Sequence, residues 1–134
     1  MLYGIQIAEI DAVWPEVCPW IEAACRTNRG KYDAEDIRRG LLAGADQLWI
    51  WKTPTAFAIG ITRLVDYPKQ KVCTLRIVTG TNAAEWQHAA VETIERWAKE
   101  NGCQAMEFCA RPGWGKRLRN QGYEMTHNYL EKPL

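Results

Sequence analysis

The run from Gln47 to Cys109 restricts the fold more than any other part of this chain. Gln47-Leu-Trp-Ile-Trp-Lys52 alternates, with Trp49 and Trp51 on one face and Leu48 and Ile50 on the other, as a strand requires. Thr53-Pro-Thr55 turns the chain into a longer strand, Ala56 to Val65. Tyr67 to Lys71 turns it again into a third, Val72 to Thr79. Trp86, Ala90, Ile94, Trp97 and Ala98 then fall on one helical stripe, while Glu92, Glu95, Arg96, Lys99 and Glu100 face water. Asn101-Gly102 stops that helix and Cys103 to Cys109 reads as a further strand. A helix of this length between strands is the usual crossover, so this strand is expected parallel to Val72–Thr79. An antiparallel meander closed by a parallel crossover makes the class α/β (α+β).

The flanks are read by caps and periodicity. Ile5 to Ile10 alternates and is expected as a first strand. Asp11 would cap a helix carrying Trp14, Val17, Cys18, Ile21, Ala24 and Cys25, with Pro15 in its first turn and Pro19 at a kink. A polar loop, Arg26 to Gly30, precedes a helix over Ala34–Ala43, capped by Asp33 with Asp36 completing the box and ended by Gly44. Asn82 and Glu85 predict a capping box for the long helix. A short basic helix is expected from Arg111-Pro-Gly-Trp-Gly115 to Asn120, with Gly122 as its stop and Tyr123 to Lys132 as a last strand or hairpin. Residues 1–134 contain no linker or repeat and are expected to form one domain.

Composition excludes several classes. With a net charge of +1, 47% apolar and 25% charged residues, the chain is globular and has no field to steer it to nucleic acid or anionic lipid. Its apolar stretches are too short to span a bilayer, and its first residues lack the basic region of a signal peptide. The five cysteines form no CxxC pair and are expected as reduced core residues of an intracellular protein. His88, expected to be structural, and His127 have no spaced thiol partners, so no metal site is expected.

The order β-α-α-β-β-β-α-β-α-β, the Ala58-Ile-Gly-Ile61 strand and Leu118-Arg-Asn-Gln-Gly-Tyr123 resemble the GCN5-related N-acetyltransferase (GNAT) superfamily. Arg111-Pro-Gly-Trp-Gly115, Gly122-Tyr123 and the ending Leu130-Glu-Lys-Pro-Leu134 are similar to short GNAT-like proteins of phages and prophages. The resemblance implies a mixed, mostly antiparallel sheet with helices on both faces. It also implies acetyl-CoA in a splay between the fourth and fifth strands, its pyrophosphate on backbone N–H groups at the start of the next helix. A helix N-terminus suits an anion because its donors are unpaired and its dipole end is positive. By this resemblance Ile77, Val78, Thr79, Gly80, Thr81 and Asn82 are the cofactor-binding residues. Departures from the family are the single Gly80, the missing Arg, and Glu85, whose charge opposes a pyrophosphate.

Counting back from Gly122, Arg111 stands where the family has Asn, Trp114 where it has Ala, and Leu118 where it has a general-acid Tyr. Leucine cannot protonate a leaving thiolate, which leaves Tyr123 and Tyr129 as substitute acids and Glu107 as proton acceptor. Cys109 has no histidine in a usable local pattern. Arg111, Lys116, Arg117 and Arg119 form a basic cluster that suits the CoA 3′-phosphate, an acidic partner, nucleic acid or, most plainly, a solvated helix face; the neutral remainder of the surface argues against nucleic acid. Two functions stay open: an acyl-CoA-dependent N-acyltransferase, and a non-catalytic GNAT-fold component of a phage or prophage particle or its assembly. The partners implied are an amine substrate, a protein or a second copy of the chain, in a host cytoplasm or a virion.

Overall fold

The computed structural model describes residues 1–109 and 112–134. Strand β1 (Leu2–Gly4) leads through a 3-10 turn (Ile7–Glu9) to α1 (Ile10–Cys25) and α2 (Ala34–Leu42). The meander is β2 (Asp46–Thr53), β3 (Ala56–Tyr67) and β4 (Gln70–Gly80), and α3 (Ala83–Glu100) crosses to β5 (Ala105–Phe108). A short α4 (Pro112–Leu118) and a 3-10 turn (Arg119–Gln121) follow. The described residues form one sheet in the order β1-β2-β3-β4-β5, antiparallel except for the parallel β4–β5 pair.

Strand alternation sorts the core into two layers. Leu48, Ile59, Ile61 and Ile77 meet Ile10, Val17 and Ile21 of α1 and Ile37 and Leu41 of α2. Trp49, Ala58, Cys73 and Leu75 face the other way, against Trp86, Ala90, Ile94 and Ala98 of α3. Trp49 belongs to the core, in edge contact with Trp97 at 5.1 Å, with its indole N–H donating to Thr62 Oγ1 at 3.0 Å.

One detail of β4 breaks the alternation. Leu75 and Ile77 share parity yet serve opposite layers, which needs an extra residue between them. The register supplies it: Thr62 pairs with Leu75 and Ile61 with Ile77, leaving Arg76 as the bulged residue.

Four local expectations need correction. The first strand is Leu2–Gly4, not Ile5–Ile10: Ile5 N–H still reaches Leu48 O at 2.8 Å, but Gln6 and Glu9 then form a reciprocal capping box that winds the chain. Helix α1 therefore starts at Ile10 with Glu9 as its cap, and Asp11 instead accepts from Arg38 Nη2 at 2.8 Å. Pro15 lies beyond the first turn, and both prolines stay on the exposed side. Asn82 takes a left-handed conformation (φ 50°) with no side-chain cap. Last, Tyr123–Lys132 forms no strand. Its polar sequence offers no apolar face to bury; Met125, Tyr129 and Leu130 are exposed, and the segment is held by Glu131 on Arg29 and Lys31. The Asp33–Asp36 box and the Gly44 stop stand as expected.

Candidate functional site

Strands β4 and β5 pair only from Val72–Ala105 to Leu75–Phe108, while β4 runs on to Gly80. Strand β5 ends at Phe108, so from Arg76 to Gly80 β4 has no β5 partner among the described residues, and this open side of β4 forms the fork. Thr81 N–H donates to Phe57 O at 2.8 Å, and antiparallel pairing alternates from there. The amides of Thr79 and Ile77 then turn to β3, and those of Val78 and Gly80 turn into the fork, away from any strand partner in the described register. Backbone groups so placed call for water or a ligand.

Aromatic rings occupy the α3 side of the fork. Trp114 of α4 stacks on Phe108 with centroids 5.9 Å apart and reaches Trp86 at 6.0 Å. Leu118, which the sequence count aligns with the GNAT tyrosine, is buried. Arg117 lies over the Trp114 ring at 5.6 Å, and Lys116 and Arg119 are exposed; Arg111 lies outside the described residues.

The expected cofactor loop is tied to its own neighbours. Ile77 is core and Val78 is half-buried facing α3. Thr81 Oγ1 accepts from Phe57 N–H at 3.1 Å and Thr81 O accepts from Trp86 Nε1 at 2.8 Å. Gly80 has a structural duty: a Cβ there would sit 2.6 Å from Ala58 Cα, so its bareness serves the approach of β3. Glu85 does not close a capping box. Its carboxylate accepts from Trp51 Nε1 at 3.0 Å, from Thr53 Oγ1 at 2.7 Å and from Thr55 Oγ1, bolting α3 to the β2–β3 turn. The hydroxyls of Thr55 and Thr53, then the indole, hold the Glu85 carboxyl below its usual range. No side chain caps the first turn of α3, where the amides of Ala83 and Ala84 stand.

The opposite face of the fork carries charge. Asp46, its side chain fully buried, accepts from Arg63 Nε at 2.7 Å and Nη2 at 3.1 Å, and from Arg76 Nη1 at 2.9 Å. Gly40 of α2 makes room for that carboxylate, since a Cβ there would overlap Oδ2 and stand 3.2 Å from Cγ. The ring of Tyr32, from the α1–α2 loop, lies 4.8 Å from the Arg76 guanidinium. Burial first raises the Tyr32 phenol, against the opposing pull of Arg76. On the same face Glu107 accepts from Thr74 Oγ1 at 2.8 Å and from Tyr67 OH at 3.1 Å, and its hydrogen bond and then its charge raise the Tyr67 phenol.

Among the sequence candidates, Val78 and Gly80 lie on the open side of β4, while Glu107 lies in the paired part of β5 opposite Thr74. Tyr123 donates to Glu95 Oε2 at 3.0 Å on α3, and burial followed by the Glu95 charge drives its phenol far up, which suits packing better than proton donation. Tyr129 lies exposed on the C-terminal segment, and Cys109 is exposed at the end of β5. Sequence reasoning missed Asp46, Arg63, Arg76 and Tyr32. A lone Arg inside the apolar strand Leu75-Arg-Ile-Val78 was the available sign.

No family model matches the sequence, and no curated protein matches it significantly. Solved structures do match over the whole chain. A ribosomal-protein-alanine N-acetyltransferase from Brucella melitensis biovar Abortus is similar with a TM-score of 0.70 at 11% identity, covering 98% of this chain and 99% of that one. The BH1408 protein of Bacillus halodurans, as a tetramutant, gives 0.69 at 12% identity, over 100% and 99%. A predicted acetyltransferase with acetyl-CoA from Clostridium acetobutylicum gives 0.65 at 12%, over 99% and 95%. The fold is thus GNAT-like: a mixed, mostly antiparallel sheet with helices on both faces, like that of the acetyltransferases it matches.

Proposed function

We propose that this domain is an acyl-CoA-dependent N-acyltransferase. The observation that carries the reading is the open side of β4 beyond its last β5 pair, to which the Val78 amide turns with no strand partner among the described residues. Acetyl-CoA, the acyl donor in this reading, would supply an activated thioester carbonyl there. The Val78 N–H is the donor aimed at charge developing on that carbonyl oxygen, and Glu107 is the acceptor for the proton of an attacking amine. The uncapped amides of Ala83 and Ala84 are the remaining anion donors. The reading places the protein in a cytoplasm supplied with acyl-CoA. Among the described residues no helix is long and apolar enough to cross a membrane.

A second reading, a non-catalytic GNAT-fold component of a phage or prophage, is favoured by Trp114. Its ring spans Phe108 and Trp86 on the side from which a cofactor would enter. Thermal-shift titration with acetyl-CoA and CoA, with ATP as control, separates the two. A ligand at a hundred times its Kd adds about 2.7 kcal/mol, several degrees for a domain of this size. The acyltransferase reading expects a saturable rise with both CoA species and none with ATP. No rise at millimolar CoA, together with a rise in Trp114→Ala, would mean that the indole plugs the fork and would overturn it.

A further inference from the structure

We infer that the groove between α1 and the β2–β3 turn binds an uncharged sugar ring, a pyranoside, at a site separate from the fork. The groove holds about 420 Å³, within the size range of small-molecule sites, and is open to solvent on one side. Its lining comes from α1, the β2–β3 turn, the start of β3 and Thr81, and the sheet order puts β4 between β3 and β5. The inference therefore does not depend on the acyltransferase reading. Trp20 of α1 and Phe57 of β3 supply the apolar wall. Both rings are half-buried against the α1–α2 core layer, with centroids 5.7 Å apart and planes tilted by 37°.

Polar groups stand beside this wall. Lys52 Nζ donates to Glu16 Oε1 at 2.6 Å, which leaves Glu16 Oε2 and the other ammonium protons without partners among the described residues. Thr81 Oγ1 accepts the Phe57 N–H, so its own proton is free to donate. Thr53 and Thr55 also line the groove, but both hydroxyls already donate to Glu85. The two charges of the lining, Lys52 and Glu16, cancel each other. A charged ligand would therefore meet no unpaired opposite charge, and a wholly apolar one would need deeper enclosure than an open groove gives. A pyranoside meets both conditions. Its C–H face lies on the Trp20 and Phe57 rings, and its hydroxyls each donate and accept. Two neighbouring hydroxyls match the ion pair, one accepting from Lys52 and the other donating to Glu16.

The test titrates the methyl pyranosides of glucose, galactose and mannose into the isotopically labelled full chain, followed by NMR. Sorbitol, which has the hydroxyls without the ring, and cyclohexanol, which has the ring without the hydroxyl rim, are the controls. At least one glycoside is expected to give saturable shifts at millimolar concentration, centred on Trp20, Phe57 and Lys52, while neither control does. Trp20→Leu should weaken that binding about threefold or more, as loss of a ring contact implies. Lys52→Met should weaken it about tenfold, as loss of a charged hydrogen bond implies. No saturable shift with any of the three glycosides overturns the inference. So does an equal response to cyclohexanol, which would make the groove merely apolar, or to sorbitol, which would make the rings irrelevant. Binding that survives Lys52→Met unchanged also overturns it. If Trp20→Leu fails to fold, the glycoside and control titrations, with Lys52→Met, decide.

Discussion

Gly40 offers a sharp test of how the charged face is built. In an exposed helix interior, Gly→Ala stabilises by about 1 kcal/mol. At position 40 the new methyl would overlap Asp46 Oδ2 and lie 3.2 Å from its Cγ. The carboxylate would have to retreat by about 1 Å to regain a normal contact. It is held by three N–H···O bonds of 2.7, 3.1 and 2.9 Å and has no exposed surface to move into. Overpacking costs about 1–3 kcal/mol and one lost charge-assisted bond about 1.5–3 kcal/mol. These overlap, so the net loss after the helix gain is about 2–3 kcal/mol, or roughly 10 °C in Tm for a domain of this size. Thermal and urea unfolding of Gly40→Ala, Asp46→Ala and the double variant measure it. Asp46→Ala alone strands two guanidiniums and is destabilising by about 3 kcal/mol or more. In that background Gly40→Ala should become neutral or stabilising by up to about 1 kcal/mol. A Gly40→Ala effect of the same sign and size in both backgrounds would refute the role given to the carboxylate.

Other substitutions separate scaffold from site. Gly80→Ala should destabilise by about 1–3 kcal/mol through its clash with the β3 backbone, whether or not CoA binds; a fully stable variant that loses only CoA binding would restore Gly80 as a phosphate contact. Burial pushes the Cys73 thiol from 9.0 up to about 12, so its contribution is complete below pH 9 and is lost as pH rises from 9 toward 12. Urea unfolding across that window should show Cys73→Ala with a shallower alkaline fall, by up to about 1.4 kcal/mol per pH unit, and identical slopes would sink the assignment. Glu85→Gln keeps the indole bond from Trp51 but removes a charge beside the first turn of α3. CoA binding, read by thermal shift at low salt, should tighten several-fold, with the gain fading as salt rises; a salt-independent or opposite change refutes the electrostatic reading.

The meander, the crossover helix and the parallel β5 were legible because alternation and helical spacing are strong over long segments, as in Gln47–Lys52 and Trp86–Ala98. Where several local solutions compete, the sequence said less. Ile5–Ile10 alternates, but Ile7 is 52% exposed, so the pattern marks no buried face and a capping box decides the backbone. Glu85 stands at the right spacing from Asn82 for a box, yet Thr53, Thr55 and Trp51 compete for its carboxylate through tertiary proximity that spacing does not encode. The charged face depended on partners far apart in sequence: Asp46 and Arg76 meet only because β2, β3 and β4 are adjacent, and the bulge at Arg76 exists only as a register between strands.

The two sides of the fork obey local rules unequally, and that inequality bears on function. At the start of α3 the preferences agree except at the left-handed, uncapped Asn82: Gly80 fits the β3 backbone, Thr81 closes on Phe57 and Trp86, and Glu85 fills its lone pairs with hydroxyls and an indole. On the α1–α2 side they conflict. A bulge interrupts pairing, a carboxylate is buried, and a helix accepts a glycine at position 40 to admit it. Natural chains retain such conflicts where a site needs a group held in one place. All of these features converge on the guanidinium of Arg76. The irregularities of this chain are therefore concentrated on the charged face, and substitutions at Gly40 and Asp46 probe what that face holds in place.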